Sequence, residues 1–456
     1  MVGALSLAAC GTRLSPEQRA AFAAGAGIGG VPTAGGAATI TGGTSASSAG
    51  SPAAGTSAAA TGGSGGGNQI GSATSGSAGG AASSSEPCAA PSTEVGVSAD
   101  TITLGGTFQL SGLLPGFAQT ALNGVQAYVQ YLNATGGLCG RQVKYTALDD
   151  GFDASRDADT TKTLMSQALS IVGGFSAADD GGASVLGGTN VLDLGTGTTT
   201  ARQVLPNHYG TASPEHQVGQ GTTLPEYKYA VAHGVTSLAI VTVAVAAGRA
   251  LAAVSKGDAE AAGMHVVLEQ EVSATQFSYT ATARAIADSG AQFVLCLLDI
   301  NGSVQLAEEL SRIQNPIVYA FYRLGYDQHF LDLAGSAANG TYSFIEFLPF
   351  EEKGTNPKLD AFLQYYDQVA PGEAPNFQSI TTWIAMEIYT QVLRSLPGPI
   401  TRDAVLAAAA DLHLVDGGGL FDSFDFGSRN PPGCKVIVKV VNGRYQRVDP
   451  PSGFYC

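Results

Sequence analysis

Residue types that carry enzyme chemistry occur in this chain, but their spacing is not that of a catalytic or metal site. Asp149 and Asp150 are adjacent carboxylates, yet neighbouring residues of a strand point to opposite faces. Gly195-x-Gly197 lacks the third glycine of a dinucleotide fingerprint, and the foldable part holds no GxSxG elbow and no P-loop. No two histidines have the spacing of a metal-binding helix; they are His208, His216, His233, His265, His329 and His413. We therefore predict no enzyme activity, no metal and no cofactor.

One cysteine lies in a pattern that predicts lipidation. Leu7-Ala8-Ala9-Cys10 matches the lipobox of bacterial lipoprotein signals, in which the thiol of the cysteine takes the lipid. Residues 1–10 are then a signal remnant, although the basic and long apolar regions of a signal peptide are missing ahead of them. The alternative is a chance match in an alanine-rich chain. The prediction is an extracytoplasmic protein, attached through Cys10 to the outer face of a bacterial membrane.

The remaining cysteines agree with an oxidising compartment. Cys296 lies in an apolar run and is predicted to be a buried, free thiol. Cys88 and Cys139 each precede a predicted parallel strand, so they lie at one sheet edge, and Cys434 and Cys456 flank the last strands. We expect the pairs Cys88–Cys139 and Cys434–Cys456. Four thiols allow three connectivities, and the sequence alone does not choose among them.

Composition divides the 456 residues into a linker and a foldable part. Residues 21–85 are almost entirely Gly, Ala, Ser and Thr without a charge, so residues 11–90 are predicted to be a disordered linker before a domain at 91–456. The net charge is −15, which excludes the basic footprint that nucleic acid requires. The longest apolar stretch, Leu238–Ala247, is far too short to span a membrane and suits a buried strand.

Strand and helix patterns alternate through the foldable part. Thr101–Leu110 predicts a strand, and the apolar residues that follow from Ala118 to Leu132 recur at helical spacing. Asp153 is predicted to cap the next helix. The same rhythm resumes at Ser237–Val245 after an interruption at Pro206–Tyr227, where we place the first crossing between two lobes. This is the pattern of an α/β fold with doubly wound parallel sheets, which bind ligands at the carboxyl ends of their strands.

An ordered set of motifs resembles the leucine/isoleucine/valine-binding-protein family, the type I periplasmic binding proteins of ABC importers. The segments are Ile102–Gly112, Leu132–Arg141, Leu148–Asp153, Ile171–Ser176, Leu333–Gly340, Phe424–Gly427 and Val441–Tyr445. The resemblance implies two Rossmann-like lobes joined by a three-segment hinge. Lobe one would span about 95–209 and 343–430, and lobe two about 212–341 and 434–456.

The resemblance also implies a ligand site in lobe one. Family members hold the ligand's carboxylate after the third strand, here Phe175 and Ser176, where a helix N-terminus favours an anion. They also use the turn after the fourth strand, here Thr196 and Thr198. The alternative is that Ser176 and Thr198 only cap their turns. Two further residues after the first strand are predicted to face the cleft, Gln109 and Ser111.

In lobe two the sequence departs from the family's amino-acid binders. They have an aromatic residue ahead of the glycine that opens the lobe's first helix, where this chain has Ala247 before Gly248. They also have a carboxylate for the ligand's ammonium where this chain has Arg323, beside Tyr322. A cation there repels an ammonium and favours an anion. Asp299 could supply a negative charge instead, and the alternative for Arg323 is a solvated loop charge.

Three aromatic residues near the hinge, Phe117, Tyr209 and Trp383, are predicted to belong to the core. We predict a solute-binding lipoprotein that captures a small carboxylate or amino-acid-like ligand and delivers it to an ABC permease. Two alternatives keep the same fold: a ligand sensor working with a membrane receptor, and a surface protein with a degenerate site. A secreted hydrolase is a more distant alternative, for which the sequence offers no catalytic set.

Overall fold

The computed structural model describes residues 38–40, 86–112, 115–211, 223–315, 317–429 and 433–456. Cys10 and the predicted signal remnant lie outside the described residues, as does most of the predicted linker. The described residues form two sheets with helices packed against them.

The first sheet has six strands in the order β1-β3-β2-β4-β5-β6. Its strands are β1 (Ala38–Ile40), β2 (Thr101–Phe108), β3 (Gln142–Asp149), β4 (Ile171–Val172), β5 (Asp193–Gly195) and β6 (His208–Gly210). Strands β2 to β6 are parallel, whereas β1 pairs antiparallel with β3. The connecting helices are α1 (Gln119–Ala134), α2 (Ala154–Gln167), α3 (Asp180–Leu186) and α4 (Thr200–Gln203). As predicted, Asp153 caps α2, because its side chain accepts a hydrogen bond from the Arg156 N–H at 2.8 Å.

The second sheet has seven strands in the order β13-β12-β11-β10-β9-β7-β8. They are β7 (Ser237–Val243), β8 (His265–Val272), β9 (Phe293–Leu297), β10 (Tyr319–Tyr322), β11 (Tyr342–Ile345), β12 (Val436–Val441) and β13 (Arg444–Asp449). Its helices are α5 (Leu224–Ala232), α6 (Ala246–Ala261), α7 (Thr280–Ser289), α8 (Ile300–Ser311) and α9 (Gln328–Ala334). Every residue of β9 is buried, which is typical of a parallel strand covered by helices on both faces.

After β11 the chain returns to the first lobe. Helices α10 (Pro357–Val369) and α11 (Phe377–Arg394) pack against α1, and α12 (Arg402–Asp411) packs against α11. Asn376 begins α11 with a capping box shared with Ser379. Three connections therefore join the lobes: one between β6 and α5, one after β11 and one before β12. The two predicted doubly wound lobes and their three-segment hinge are confirmed.

Two sequence-based boundaries differ from the structure. Tyr342–Ile345 forms β11 of the second sheet and pairs antiparallel with β12, so the crossing predicted at 343 follows Ile345 instead. The predicted linker also reaches too far. Pro87–Ala89 forms a 3₁₀ turn held by a disulfide, and Ala38–Ile40 adds a strand at the edge of β3. Composition did not show either pairing, because both depend on partners that are distant in sequence.

Both expected disulfides are present, Cys88–Cys139 and Cys434–Cys456, and Cys296 is a buried free thiol. Among the described residues, no helix is both long enough and apolar enough to cross a membrane.

Candidate functional site

A cavity of about 160 Å³ lies at the carboxyl ends of the strands of both sheets. Lobe one contributes Phe175 after β4 and Thr196 after β5, and lobe two contributes Asp299 after β9 and Arg323 after β10. This is the position at which doubly wound sheets bind ligands, because several loops converge there from separate strands.

Most of the cavity wall is apolar. Lobe one supplies four phenylalanines, Phe117, Phe152, Phe175 and Phe377, and the rings of the first and third lie 5.7 Å apart. Lobe two supplies mainly aliphatic side chains and one tyrosine, namely Val243, Val245, Leu251, Tyr279, Leu297, Leu298 and Leu324. Such a wall stabilises an apolar ligand body by removing it from water.

Two threonines provide the polar part of the lobe-one wall. The Thr196 hydroxyl is buried and has no hydrogen-bond partner among the described residues, so it can donate to a ligand. Thr198 also lines the cavity, but its N–H donates to Asp179 Oδ2 at 2.6 Å and its hydroxyl donates to the Ser176 carbonyl. Thr196 is therefore the lobe-one hydroxyl left for a ligand.

Ser176, which was predicted to help hold the ligand's carboxylate, does not line the cavity. Ser176 is buried outside the cavity wall, and its hydroxyl accepts the N–H of Ala178 at 3.0 Å. A protein carboxylate already occupies this turn, because Asp179 accepts the N–H groups of Thr198 and Thr199. Burial raises the pKa of Asp179 to about 6, against the opposing charge of Arg202. The capping alternative describes Ser176 correctly.

Arg323 brings a positive charge to the cavity wall. Its side chain is only 7% exposed, which rules out the alternative of a solvated loop charge. The guanidinium lies 6.0 Å from the ring centroid of Phe377 in the other lobe, and its Nη2 is 4.0 Å from Glu346 Oε1. A guanidinium in such a dry site is suited to a carboxylate, which it can bind through two hydrogen bonds.

Asp299 lies on the same wall and also has a structural role. Its side chain accepts the Gly302 N–H at 3.1 Å and so begins helix α8. It is the acidic member of the cavity wall, as Arg323 is the basic one.

Five of the nine predicted ligand residues line the cavity: Phe175, Thr196, Thr198, Asp299 and Arg323. The other four do not, and for each the structure shows another partner. Gln109 is fully buried and accepts the Ala177 N–H, while Ser111 donates to Asp149 at 2.5 Å. Tyr322 is buried against Phe330, with ring centroids 5.0 Å apart. Ser176 caps its own turn.

Sequence reasoning missed most of the apolar wall. Phe117 was predicted to be a core residue but lines the cavity, whereas Tyr209 and Trp383 are buried away from it, as predicted. Phe377 reaches the cavity from the start of α11, far from the first-lobe strands in sequence. The available signal was Ala247, which lines the cavity at the position where the family's amino-acid binders have an aromatic residue, so its small side chain leaves room there.

Other titratable clusters have structural explanations. Asp149 accepts the N–H groups of Leu110 and Ser111 and pairs with Arg156, whereas Asp150 is buried on the other side, where burial raises its pKa to about 6. Within the described part of the chain, the two metal-like groupings of acids and cysteines are those at the disulfides, whose sulfurs are already bonded.

The chain belongs to the periplasmic binding protein family, whose sequence pattern matches its residues 101–444. Members of this family are extracytoplasmic binding proteins, not enzymes, that bind small-molecule ligands and work with ABC transporters. No curated protein sequence matches the chain.

Three solved structures share the fold at low sequence identity. A fatty acid ABC transporter substrate-binding protein from Thermomonospora curvata is 17% identical, with 79% of this chain and 94% of that chain covered and a TM-score of 0.66. A solute binding protein of an ABC transporter from R. palustris, in complex with benzoate, is 16% identical over 78% and 96%, with a TM-score of 0.61. A leucine binding protein from Thermotoga maritima is 12% identical over 76% and 97%, with a TM-score of 0.60.

Proposed function

We propose that this chain is an extracytoplasmic, lipid-anchored solute-binding protein that captures a small carboxylate with an apolar body and delivers it to an ABC permease. The carrying observation is the combination of an apolar wall with the buried guanidinium of Arg323. The ligand's carboxylate binds Arg323 and the Thr196 hydroxyl, and its body packs against the phenylalanines of lobe one.

The cavity limits the ligand's size. Its volume of about 160 Å³ is below the range of about 300–1,000 Å³ found for drug-sized ligands. A single ring or a short branched chain suits this space. Two proteins that share the fold, a fatty acid substrate-binding protein and a solute binding protein in complex with benzoate, show that this fold can hold a carboxylate with an apolar body.

The charge at Arg323 separates this ligand class from amino acids. The positive charge of Arg323 would repel an ammonium group in the cavity. Asp299 is the acidic residue of the cavity wall, but its carboxylate already accepts the Gly302 N–H at the start of α8. We therefore expect des-amino acids to bind more tightly than the corresponding amino acids.

A thermal-shift comparison tests the proposal with a matched ligand pair, isocaproate and leucine, together with benzoate. A ligand at 100 times its Kd adds about 2.7 kcal/mol to the free energy of unfolding, so isocaproate or benzoate should raise Tm measurably and leucine less. Arg323→Met should weaken carboxylate binding about 10- to 100-fold, because a charge-assisted hydrogen bond contributes about 1.5–3 kcal/mol.

The control variant is Arg312→Met, which removes an arginine that is 59% exposed at the end of α8, outside the cavity wall. It should bind like the wild type. A panel in which leucine stabilises the protein and the carboxylates do not would contradict the proposal.

A further inference from the structure

Lobe two buries a cluster of charged side chains directly behind Arg323. Three members are fully buried and the others nearly so: Glu226, Asp258, Lys435, Arg323 and Glu346. Charges removed from water in this way are costly unless each has a partner. Because burying these charges is not expected to stabilise the fold, we consider a role for the cluster in ligand binding.

The cluster lies where the three connections enter lobe two. Glu226 is in the first turn of α5, after the first connection, and Glu346 directly follows β11, at the start of the second. Lys435 directly precedes β12, at the end of the third. The charges thus lie between the ligand cavity and the hinge.

Arg323, Glu346, Lys435 and Glu226 form a chain of alternating charge. Arg323 Nη2 is 4.0 Å from Glu346 Oε1, and the same oxygen accepts a hydrogen bond from Lys435 Nζ. Lys435 Nζ is 3.7 Å from Glu226 Oε2, beyond hydrogen-bond distance. A negative charge bound at Arg323 therefore changes the electrostatic environment of Glu226 through the intervening Glu346 and Lys435.

Glu226 is the least supported acid of this chain. It is fully buried, and neither carboxylate oxygen has a hydrogen-bond partner among the described residues. The groups that act on it are Lys435 before β12, Arg323 after β10, Glu346 after β11 and Asp258 on α6, and Tyr227 is its neighbour on α5. Burial raises the pKa of Glu226 to about 7, Glu346 and Asp258 add to the rise, and the two cations oppose it.

The ligand's charge disturbs this balance. The cluster holds three acids and two cations, and a carboxylate at Arg323 adds a fourth acid and draws the guanidinium away from the protein's own acids. In a dry site the repulsion is relieved most easily by protonating the acid that accepts no hydrogen bond. Asp258 is less suited to this, because it accepts a hydrogen bond from the Thr223 hydroxyl.

We propose that Glu226 takes up a proton from solvent when the ligand's carboxylate binds Arg323, so that an anion enters the cavity together with a proton. The inference rests on the proposed function and deepens it. Glu226 is a positioning residue in this scheme, since it acts on the ligand only through Arg323, Glu346 and Lys435.

The test is the pH dependence of benzoate binding, measured by isothermal titration calorimetry between pH 6 and pH 9. Benzoate stays ionised throughout, because carboxylic acids titrate near pH 4. Proton uptake makes binding tighter at low pH, by up to about tenfold for each unit by which the ligand raises the pKa of Glu226. At pH 7.5, titrations in two buffers of different ionisation enthalpy should report net proton uptake.

Glu226→Gln should bind benzoate with a nearly flat pH profile and no proton uptake. The matched control is Glu387→Gln, another buried glutamate paired with a lysine, Lys358, but on α11 of lobe one and outside the cavity wall. It should keep the wild-type slope. A thermal melt of each variant checks that it folds, and the two-buffer measurement on the wild type stands without any variant.

Two results would overturn the inference while leaving the proposed function intact: wild-type binding with no proton uptake, or an unchanged pH slope in Glu226→Gln. Absence of any carboxylate binding at every pH would instead overturn the proposed function, and this inference with it.

Discussion

At the residue scale, hydrogen bonds within the protein decide which polar side chains of the candidate site remain able to bind a ligand. Thr198 and Ser176 are committed to the turn around Asp179, which leaves Thr196 as the hydroxyl with no described partner. That residues after the strands contribute to the cavity wall was predictable from the topology, and five of the nine predicted residues do so. Which of them are already hydrogen-bonded was not predictable, since that depends on Asp179 in a neighbouring loop.

The loop that carries Thr196 rests on a buried charge network. Asp193 accepts hydrogen bonds from Arg202 Nε at 2.6 Å and interacts with His208 Nδ1 at 2.7 Å, and all three side chains are buried. Burial alone would raise the pKa of Asp193, but Arg202 and His208 hold it well below its ordinary value. This network fixes β5 and β6, from which the turn projects.

Asp193→Asn should therefore lower the free energy of unfolding by about 3–5 kcal/mol at pH 7, because it leaves the Arg202 charge buried without its partner. Because the pKa of Asp193 is lower in the folded state, ionised Asp193 stabilises the protein fully above its unfolded pKa of about 3.9. This stabilisation is lost as the pH falls towards the folded-state pKa. Urea unfolding at pH 7 and at pH 3 measures both effects. Asp159→Asn, at a surface pair in which the aspartate is 79% exposed, should change stability by less than about 0.5 kcal/mol. Equal effects of the two variants would contradict the role of the network.

At the scale of elements, lobe one is held together by the close approach of α1 and α11. Gly124 on α1 permits this approach, because a Cβ there would lie 2.0 Å from the Ser379 carbonyl oxygen on α11. The Thr382 hydroxyl also donates to the Ala121 carbonyl at 2.7 Å. Since Phe377 begins α11, this contact also positions an aromatic residue of the cavity wall.

Gly124→Ala should destabilise the protein by about 1–3 kcal/mol, although alanine normally favours a helix over glycine by about 1 kcal/mol. Chemical denaturation measures the change. Gly398→Ala is the control, because no described atom lies within 4 Å of its added Cβ and its φ is not in the left-handed region. A neutral or stabilising Gly124→Ala would show that α1 and α11 are not in tight contact.

Much at this scale could be predicted from sequence. The alternation of strand and helix patterns predicted the two sheets, and the positions of the cysteines next to strands favoured the two disulfides that the structure contains. The pairing of β1 with β3 and the extension of β11 could not be predicted, because each depends on a partner strand rather than on local periodicity.

At the scale of the whole molecule, the ligand cavity, the hinge and the buried charges form one arrangement. Arg323 contacts Phe377 across the lobes, and Asp327 in lobe two accepts a hydrogen bond from Asn376 in lobe one at 2.7 Å. Glu346 and Lys435 lie at the ends of two hinge connections. On the proposed function, an anion bound at Arg323 lies between the lobes and next to charges at the hinge, so we expect ligand binding to favour a closed form.

The central claim is that this fold captures an apolar molecule by its carboxylate at Arg323. The most direct measurement is calorimetric titration with benzoate and with benzamide, which have the same ring and nearly the same shape but differ in charge. We predict that the wild type binds benzoate at least about tenfold more tightly than benzamide, and that Arg323→Met removes the difference. Equal affinity of the wild type for the two ligands, or an undiminished preference for benzoate in Arg323→Met, would contradict the claim.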